Sequence, residues 1–373
     1  MKVRFLVAFV AVVSWTCLAA VTAAAEGAKT TVVASGLDNP RDLAFAWGGA
    51  LYVAEAGHGG PDCISNPEFG EVCIGFTSKI SRVDVVHHRV HRVVTGLYST
   101  ASPDGSAATG IDGISVLGRN RIFGIFTGAR LAIPSGVLPA ATTQRAKRQA
   151  GRLIVATGTG SWQVAADVGD RDWRWSLHHM GLVPGQFPDA NPYGVYAGGH
   201  SRWVVDAATN TIDRIGADGR VHIVQFIPNP PASDAVPTCI DRGPDGAFYV
   251  GELTGGGNGP GAARVWRYSP GSDRLSLWAS GLTAVTGCGF GRDGRFYGTE
   301  FSTLGLENAA PDTGRVVRVP AHSTSPVTVV DGLSFPGGFA AGRHALYVSN
   351  WSIAPANNGG GPTGSVVRID IGS

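Results

Sequence analysis

The chain has 373 residues, with 30 basic against 28 acidic side chains and a formal net charge of +2 at pH 7. Because these charges are not concentrated in one region, the sequence argues against a nucleic-acid partner and against stable insertion into a membrane. Glycine is abundant, with 54 residues, and charged residues make up only 16% of the chain. This composition favours an all-β protein with many short strands and tight turns.

The N-terminus has the features of a secretory signal peptide. Lys2 and Arg4 precede an almost wholly apolar run over residues 5–21, and small residues follow up to Ala25. An uncleaved membrane anchor is the alternative, and no second apolar run approaches the roughly 20 residues that a spanning helix needs. We expect a signal peptide over 1–25 and an exported, extracytoplasmic single domain over 26–373.

Four cysteines remain after the predicted cleavage, and an even number in an oxidising compartment favours disulfides. Cys63 and Cys73 flank a turn-rich loop, and the sequence predicts that they pair. Cys239 and Cys288 occupy nearly the same place in two repeats, but one register apart. A one-residue shift on a strand turns a side chain to the other face, so the sequence leaves this second bond open.

The chain contains a repeat of two short strands around a tight turn. Its copies cover residues 40–55, 112–127, 192–206, 237–252, 285–300 and 336–350. A third strand follows each copy, and a fourth follows most of them. Such an array predicts an all-β, six-bladed β-propeller with four-stranded blades.

The two ends of the chain complement each other. The last copy lacks a fourth strand, whereas residues 30–37 resemble the fourth strand at 328–333 and precede the first copy. We expect this N-terminal strand to close the last blade, which would leave no open edge there. Blade 2 carries insertions. Residues 138–149 predict one or two helical turns with a solvated basic face. We expect residues 170–191 to form a loop of unassigned role, in which His178 and His179 could contribute to the rim.

The loops between second and third strands are long, and they share one face of the predicted propeller with the starts of the inner strands. Long loops on a rigid scaffold commonly form binding surfaces, so we expect a small molecule, glycan or protein to bind at this rim. Polar residues at the inner strands supply the candidate ligand-binding set: Asp42, Asp112, Asn191, Tyr193, Thr238 and Asp241.

Oxygen-bearing side chains end most of the second strands. Glu55, Glu252, Glu300 and Asn350 could form a ring of ligands for a divalent cation such as calcium, which takes 6–8 oxygens. The alternative is structural: each side chain accepts backbone N–H groups from the loop that follows it. Because the feature recurs in nearly every blade, whereas a functional site needs asymmetry, the repeat favours the structural interpretation.

The sequence resembles the ScyD/ScyE family of secreted propellers. The resemblance rests on residues 36–41, on the run from Phe248 to Gly255, on Asn191-Pro-Tyr-Gly194 and on the Cys63/Cys73 loop, and it covers nearly all of the mature chain. It implies an exported propeller and carries over no catalytic residues.

The chain is more distantly similar to NHL-repeat propellers and to the calcium-dependent lactonases of the SMP-30/gluconolactonase group. That similarity implies a Glu/Asn/Asp metal set, to which Glu55, Asn191 and Asp241 could correspond.

Two classes of function follow. The first is a non-catalytic binding or scaffold protein that presents one rim of its channel. The alternative is a metal-dependent hydrolase or lactonase. The sequence has no Gly-x-Ser-x-Gly elbow, no HExxH helix and no phosphate-binding glycine loop, so it assigns no catalytic residue.

Overall fold

The structure is a computed structural model, and it describes residues 28–66, 70–182, 188–353 and 363–371. The predicted signal peptide over 1–25 lies outside these ranges. None of the helices in the described part of the chain is both long and apolar enough to cross a membrane.

Six antiparallel sheets account for nearly all of the regular structure, and we call them blades 1 to 6 in chain order. Blades 1 to 3 follow one another along the chain. Blade 1 contains β2 (Pro40–Phe45), β3 (Leu51–Glu55), β4 (Asp62–Asn66), β5 (Gly70–Asp84) and β6 (Arg89–Ala101), blade 2 contains β7 (Ile111–Leu117), β8 (Arg121–Phe126), β9 (Arg152–Thr157) and β10 (Trp162–Asp167), and blade 3 contains β11 (Pro192–Gly198), β12 (Ser201–Asp206), β13 (Thr211–Ile215) and β14 (Val221–Phe226).

The remaining blades have the same order of strands. Blade 4 contains β15 (Pro237–Arg242), β16 (Phe248–Glu252), β17 (Ala263–Ser269) and β18 (Arg274–Leu282), blade 5 contains β19 (Val285–Phe290), β20 (Phe296–Glu300), β21 (Gly314–Val319) and β22 (Val327–Leu333), and blade 6 contains β23 (Phe339–Ala341), β24 (Ala345–Asn350), β25 (Gly364–Asp370) and β1 (Thr30–Leu37). The N-terminal strand β1 pairs antiparallel with β25, from Thr30 opposite Ile369 to Leu37 opposite Gly364.

The prediction of an all-β protein with six four-stranded sheets is confirmed, and the arrangement is that of a six-bladed β-propeller. Blade 1 differs from the prediction by one strand, because β4 pairs with the first half of the long strand β5. The hydrophobic core is divided among the interfaces between blades. Tyr52 and Ile122 belong to one buried cluster between blades 1 and 2, and Leu43 and Tyr347 belong to another between blades 1 and 6.

The inner strands pack backbone against backbone. A Cβ on Gly113 would lie 2.2 Å from the Tyr193 carbonyl, and a Cβ on Gly338 would lie 2.3 Å from the Cα of Asp42. Only glycine allows neighbouring strands to approach so closely. The channel between the blades is therefore narrow.

Both disulfides are present. Cys63–Cys73 joins β4 to β5, and Cys239–Cys288 joins the inner strands of blades 4 and 5, with Cα atoms 5.6 Å apart. Cys239 and Cys288 stand one residue apart in their copies of the repeat, and this offset permits the second disulfide. Where two blades stack, the contact is formed by one face of the first sheet and the opposite face of the second. Two cysteines that meet there must therefore project from opposite faces of their sheets.

Two helices lie within the insertions, as well as two single turns of 3-10 helix (Arg130–Ala132 and Met180–Leu182). Helix α1 (Ala140–Lys147) matches the helical turns predicted for 138–149. Helix α2 (Gly169–His179) replaces part of the loop predicted for 170–191. The interpretation of residues 178 and 179 as loop histidines was therefore wrong, since they end this helix.

Candidate functional site

The inner strands of all six blades meet around a small cavity in the channel. Its lining comprises Arg41, Asp42, Asp112, Gly113, Tyr193, Gly194, Thr238, Cys239, Thr286 and Gly338. The volume of the cavity is about 10 Å³, which is room for about one water molecule or one polar group of a larger ligand. Four of the predicted ligand-binding residues line it: Asp42, Asp112, Tyr193 and Thr238.

Arg41 and Asp112 form a buried ion pair with unused hydrogen-bonding capacity. The Nε of Arg41 lies 3.4 Å from Oδ1 of Asp112, and the side chains are 7% and 0% exposed. Arg41 Nη2 donates to the carbonyl of Ala108. Its Nε and both carboxylate oxygens of Asp112 have no hydrogen-bond partner; the amide of Gly110 stands near Asp112 without hydrogen-bond geometry.

Burial raises the pKa of Asp112, and the charge of Arg41 opposes that rise. Buried polar groups are almost always paired with protein or water, so unpaired ones beside a cavity mark positions for a ligand atom or an ordered water. A hydroxyl group fits both needs, because it can accept from Arg41 and donate to Asp112.

Asp42 is the carboxyl at this cavity best suited to exchange a proton near neutral pH. Its Oδ1 accepts from the N–H of Leu43 at 2.8 Å, and its Oδ2 accepts from the N–H of Ile114 in blade 2 at 3.2 Å. Burial raises the pKa of Asp42 to about 7, and the negative charge of Asp241 adds to the rise. A carboxyl with such a pKa can act as a general acid or a general base.

Tyr193 and Thr238 have different roles around the cavity. Burial raises the pKa of Tyr193 to about 12, so this side chain stays a neutral phenol at ordinary pH. The hydroxyl of Thr238 donates to the carbonyl of Val285 at 2.6 Å, which connects blade 4 to blade 5. Thr238 therefore contributes to the lining while its donor serves the scaffold.

Asn191 and Asp241 lie on inner strands or at their starts but are not part of the cavity lining. The Oδ1 of Asn191 accepts from the hydroxyl of Thr127. Asp241 accepts from the N–H of Phe290 at 2.8 Å and of Arg242 at 2.7 Å, and burial raises its pKa to about 6. Asp241 thus resembles Asp42 in joining one blade to the next.

Sequence reasoning missed Arg41 and Thr286. Arg41 stands next to the selected Asp42 in the first copy of the repeat. Thr286 follows Val285 as Thr238 follows Pro237, at the same position of neighbouring copies. Arg41 follows Pro40 in the same way, so aligning the copies position by position would have identified both residues.

The side chains proposed as metal ligands are each bound within their own part of the propeller. Glu55 accepts from the N–H of Asp38 at 2.8 Å and pairs with Arg92. Glu300 accepts from the N–H of Thr283 at 3.0 Å. These donors precede the inner strand, whereas the structural interpretation placed them in the loop that follows the acid.

Glu252 and Asn350 complete the set. Arg264 donates to Glu252 through Nε at 2.8 Å, and the indole of Trp266 donates to it at 2.6 Å. Asn350 accepts from the N–H of Ser334 at 2.9 Å. Across the described ranges, no three His, Cys, Asp or Glu side chains are grouped so that they could hold a metal ion. These residues therefore do not fit a shared calcium ion, and calcium stays a prediction.

A group of three buried carboxyls lies on blade 3, away from the cavity lining. Asp172 of α2, Asp206 of β12 and Asp213 of β13 are all 0% exposed. Burial raises the pKa of Asp172 well above its ordinary value, and the charges of the other two acids raise it further. Both oxygens of Asp172 lack a donor, although Asp206 accepts three backbone N–H groups nearby.

No protein-family model matches the chain, and no curated protein matches it. Solved structures do. A putative oxidoreductase (glucose dehydrogenase) from Thermus thermophilus is 15% identical with a TM-score of 0.55, and the match covers 92% of this chain and all of that one.

Two further structures are similar. A gluconolactonase from Xanthomonas campestris is 10% identical with a TM-score of 0.54, covering 92% of this chain and 89% of that one. An aldose sugar dehydrogenase from Streptomyces coelicolor, in its PQQ-bound form, is 14% identical with a TM-score of 0.50, covering 92% and 98%. At these identities the likeness establishes the fold alone.

Proposed function

We propose that the protein is a hydrolase of the lactonase type that acts on a small hydroxylated molecule, such as a sugar lactone, at the channel cavity. One observation carries the proposal: Asp42, with a pKa of about 7, lines the same cavity as the incompletely paired Arg41 and Asp112. The likeness to gluconolactonase and sugar dehydrogenase structures agrees with this class, but it supplies only the shared fold.

The size of the cavity decides how such a substrate binds. Room for about one polar group admits the lactone carbonyl, while the ring and the attacking water stay outside on the rim. Arg41 Nε then donates to the carbonyl oxygen, and its charge stabilises the negative charge that develops there. Asp112 holds the Arg41 guanidinium in place through their ion pair.

Asp42 supplies the proton transfer. Its carboxylate takes a proton from a water molecule while the water oxygen adds to the carbonyl carbon. The ring carbon–oxygen bond then breaks, and the departing alkoxide receives that proton back from Asp42. The products are a hydroxy acid and a regenerated carboxylate, and no step uses a cation.

A panel of sugar lactones tests the proposal, with acid release as the measurement. We expect Asp42→Asn to lower kcat/KM at least about 100-fold, the lower end of general-base contributions. Asp241→Asn is the matched control, since this carboxyl also joins two blades but does not line the cavity. It should retain activity within a few-fold, with the pH profile displaced to lower pH because its charge no longer raises the pKa of Asp42. Activity should rise with pH through about 7 as Asp42 loses its proton.

The narrow cavity also gives the non-catalytic alternative some support, because a site for one polar group can bind a ligand without transforming it. If the folded protein hydrolyses no lactone but binds sugars, and Asp112→Asn abolishes that binding, the protein is a binding protein and the hydrolase proposal is wrong. Activity that survives Asp42→Asn would contradict the assigned base.

We infer further that the protein is exported and that β1 closes the propeller ring. Two disulfides are typical of proteins from oxidising compartments, which agrees with the predicted signal peptide and with the resemblance to the ScyD/ScyE family. The pairing of β1 with β25 supports closure. Fractionation of the expressing cells tests export, and deletion of residues 28–37, which should cause a marked loss of stability, tests closure.

A further inference from the structure

A larger cleft lies on the flank of the propeller, between the outer strands of blades 1 and 2. β6 and β10 form two of its sides, and the C-terminal end of α1 forms the third. Its volume is about 430 Å³, within the range of small-molecule sites. It shares no lining residue with the channel cavity.

Two arginines line this cleft, and none of the described residues that line it with them is a carboxylate. Arg145 is held in position, because its Nη2 donates to the carbonyl of Gly96 at 2.7 Å and its guanidinium lies 3.8 Å from the ring centroid of Phe76. Arg148, one residue beyond α1, is exposed. Neither arginine forms a salt bridge with a residue that the structure describes. The sequence interpretation of this face as merely solvated did not anticipate the cleft beside it.

The remaining walls combine one fixed polar group with an apolar surface. Gln149 is 4% exposed, and its Oε1 accepts from the N–H of Tyr98 at 2.9 Å, which leaves Nε2 as its donor. Trp162 is half-buried, and Val164, on the same strand, is 48% exposed. The cleft therefore offers cationic donors on one side and an indole with an exposed aliphatic side chain on the other.

We propose that this flank cleft binds a carboxylate-bearing saccharide. Guanidinium groups bind carboxylates through their N–H donors, and Arg145 is held at the cleft by its contacts with Gly96 and Phe76. The faces of Trp162 and Val164 suit the C–H face of a sugar ring. An acidic peptide could use the same arginines, but it would not need the indole face, so Trp162 distinguishes the two ligands.

Calorimetric titration with tetragalacturonate, and with maltotetraose as the neutral counterpart, tests the proposal. We expect binding of the uronate that weakens with added salt, and no binding of the neutral sugar. Arg148→Gln should weaken uronate binding about 10- to 100-fold, the effect of losing one charge-assisted hydrogen bond. Arg343→Gln, a change at an exposed arginine elsewhere, should leave it unchanged.

Trp162→Leu should weaken uronate binding at least about fivefold, as loss of an aromatic contact predicts. Absence of uronate binding, or equal binding of the neutral sugar, overturns the proposal. If tetraglutamate binds as tightly as the uronate, and its affinity is unchanged in Trp162→Leu, the ligand is an acidic peptide and the saccharide proposal is wrong. Thermal unfolding midpoints show whether the variants are folded. Asp42→Asn should bind the uronate with unchanged affinity, because Asp42 does not line the flank cleft. A failure of the cleft proposal is therefore distinguishable from a failure of the channel proposal.

Discussion

Blades 3 and 4 place a carboxylate at the same position of the repeat and neutralise it in opposite ways. Asp206 and Glu252 both end the second strand, and both are 0% exposed. Glu252 receives Arg264, whose own side chain is 5% exposed. Asp206 faces Asp172 and Asp213 instead. The repeat therefore determines the position of the acid and not the group that compensates its charge. Because its acid has a cationic partner, we expect this part of blade 4 to contribute more to the free energy of unfolding than the corresponding part of blade 3.

The largest effect should come from removing the cation of blade 4. Arg264→Met leaves Glu252 buried without its counter-charge, which costs about 3–5 kcal/mol of unfolding free energy in comparable cases. Denaturant unfolding at pH 7 measures this change. Arg315→Met is the matched control: Arg315 pairs with the equivalent Glu300, but it is 24% exposed, so water can replace part of the lost interaction. A loss for Arg264→Met no larger than for Arg315→Met would contradict the comparison.

A somewhat smaller effect should follow from the cross-link that ties blade 4 to blade 5. Cys239 and Cys288 are 49 residues apart, whereas Cys63 and Cys73 are 10 apart. Closure of a longer loop restricts the unfolded chain more. Replacing Cys239 and Cys288 by alanines should therefore lower the free energy of unfolding by about 4 kcal/mol, and replacing Cys63 and Cys73 should lower it by about 3 kcal/mol. Unfolding under non-reducing conditions gives both values, and a reversed order would show that loop closure does not govern the difference.

The fold was predictable because it repeats. Each copy carries the same alternation of an apolar strand, a tight turn and a second strand, so errors in one copy are corrected by the others. Strand β4 of blade 1 and helix α2 were not predicted, because each occurs only once and no second copy supports its assignment. Asp62–Asn66 has little apolar alternation, and its pairing depends on the unusual length of β5.

The candidate site was predictable only in part. Tyr193 and Thr238 could be placed at the channel because each stands second in its copy of the repeat, and Asp42 and Asp112 because they lie within one residue of that position. Their partners could not, since an inner strand does not reveal which neighbouring blade it contacts. The acids of blade 3 illustrate this limit, because Asp172 reaches Asp206 only through the fold of an inserted helix.

The smallest expected effect concerns that acid group, and its sign is opposite to that of the arginine change. The pKa values of Asp172 and Asp213 are raised by burial and by neighbouring acids, while Arg171 partly offsets the rise at Asp213. The folded protein therefore holds protons that the unfolded chain releases above the ordinary pKa of 3.8. By linkage, the stability from these groups is fully present below that pH and is lost as the pH rises through the raised folded values.

Asp172→Asn should remove the free-energy cost of keeping this carboxyl buried at neutral pH. An amide of nearly the same shape is neutral without binding a proton, and it can donate to Asp206. We expect a gain on the order of 1–2 kcal/mol at pH 7, with the advantage shrinking as the pH falls toward about 4. Denaturant unfolding at several pH values measures the change. Asp245→Asn, which alters an exposed carboxylate paired with Arg267, is the control and should not stabilise the protein. A loss of stability in Asp172→Asn at pH 7 would mean that the charged form of this carboxyl is needed, and that blade 3 is compensated after all.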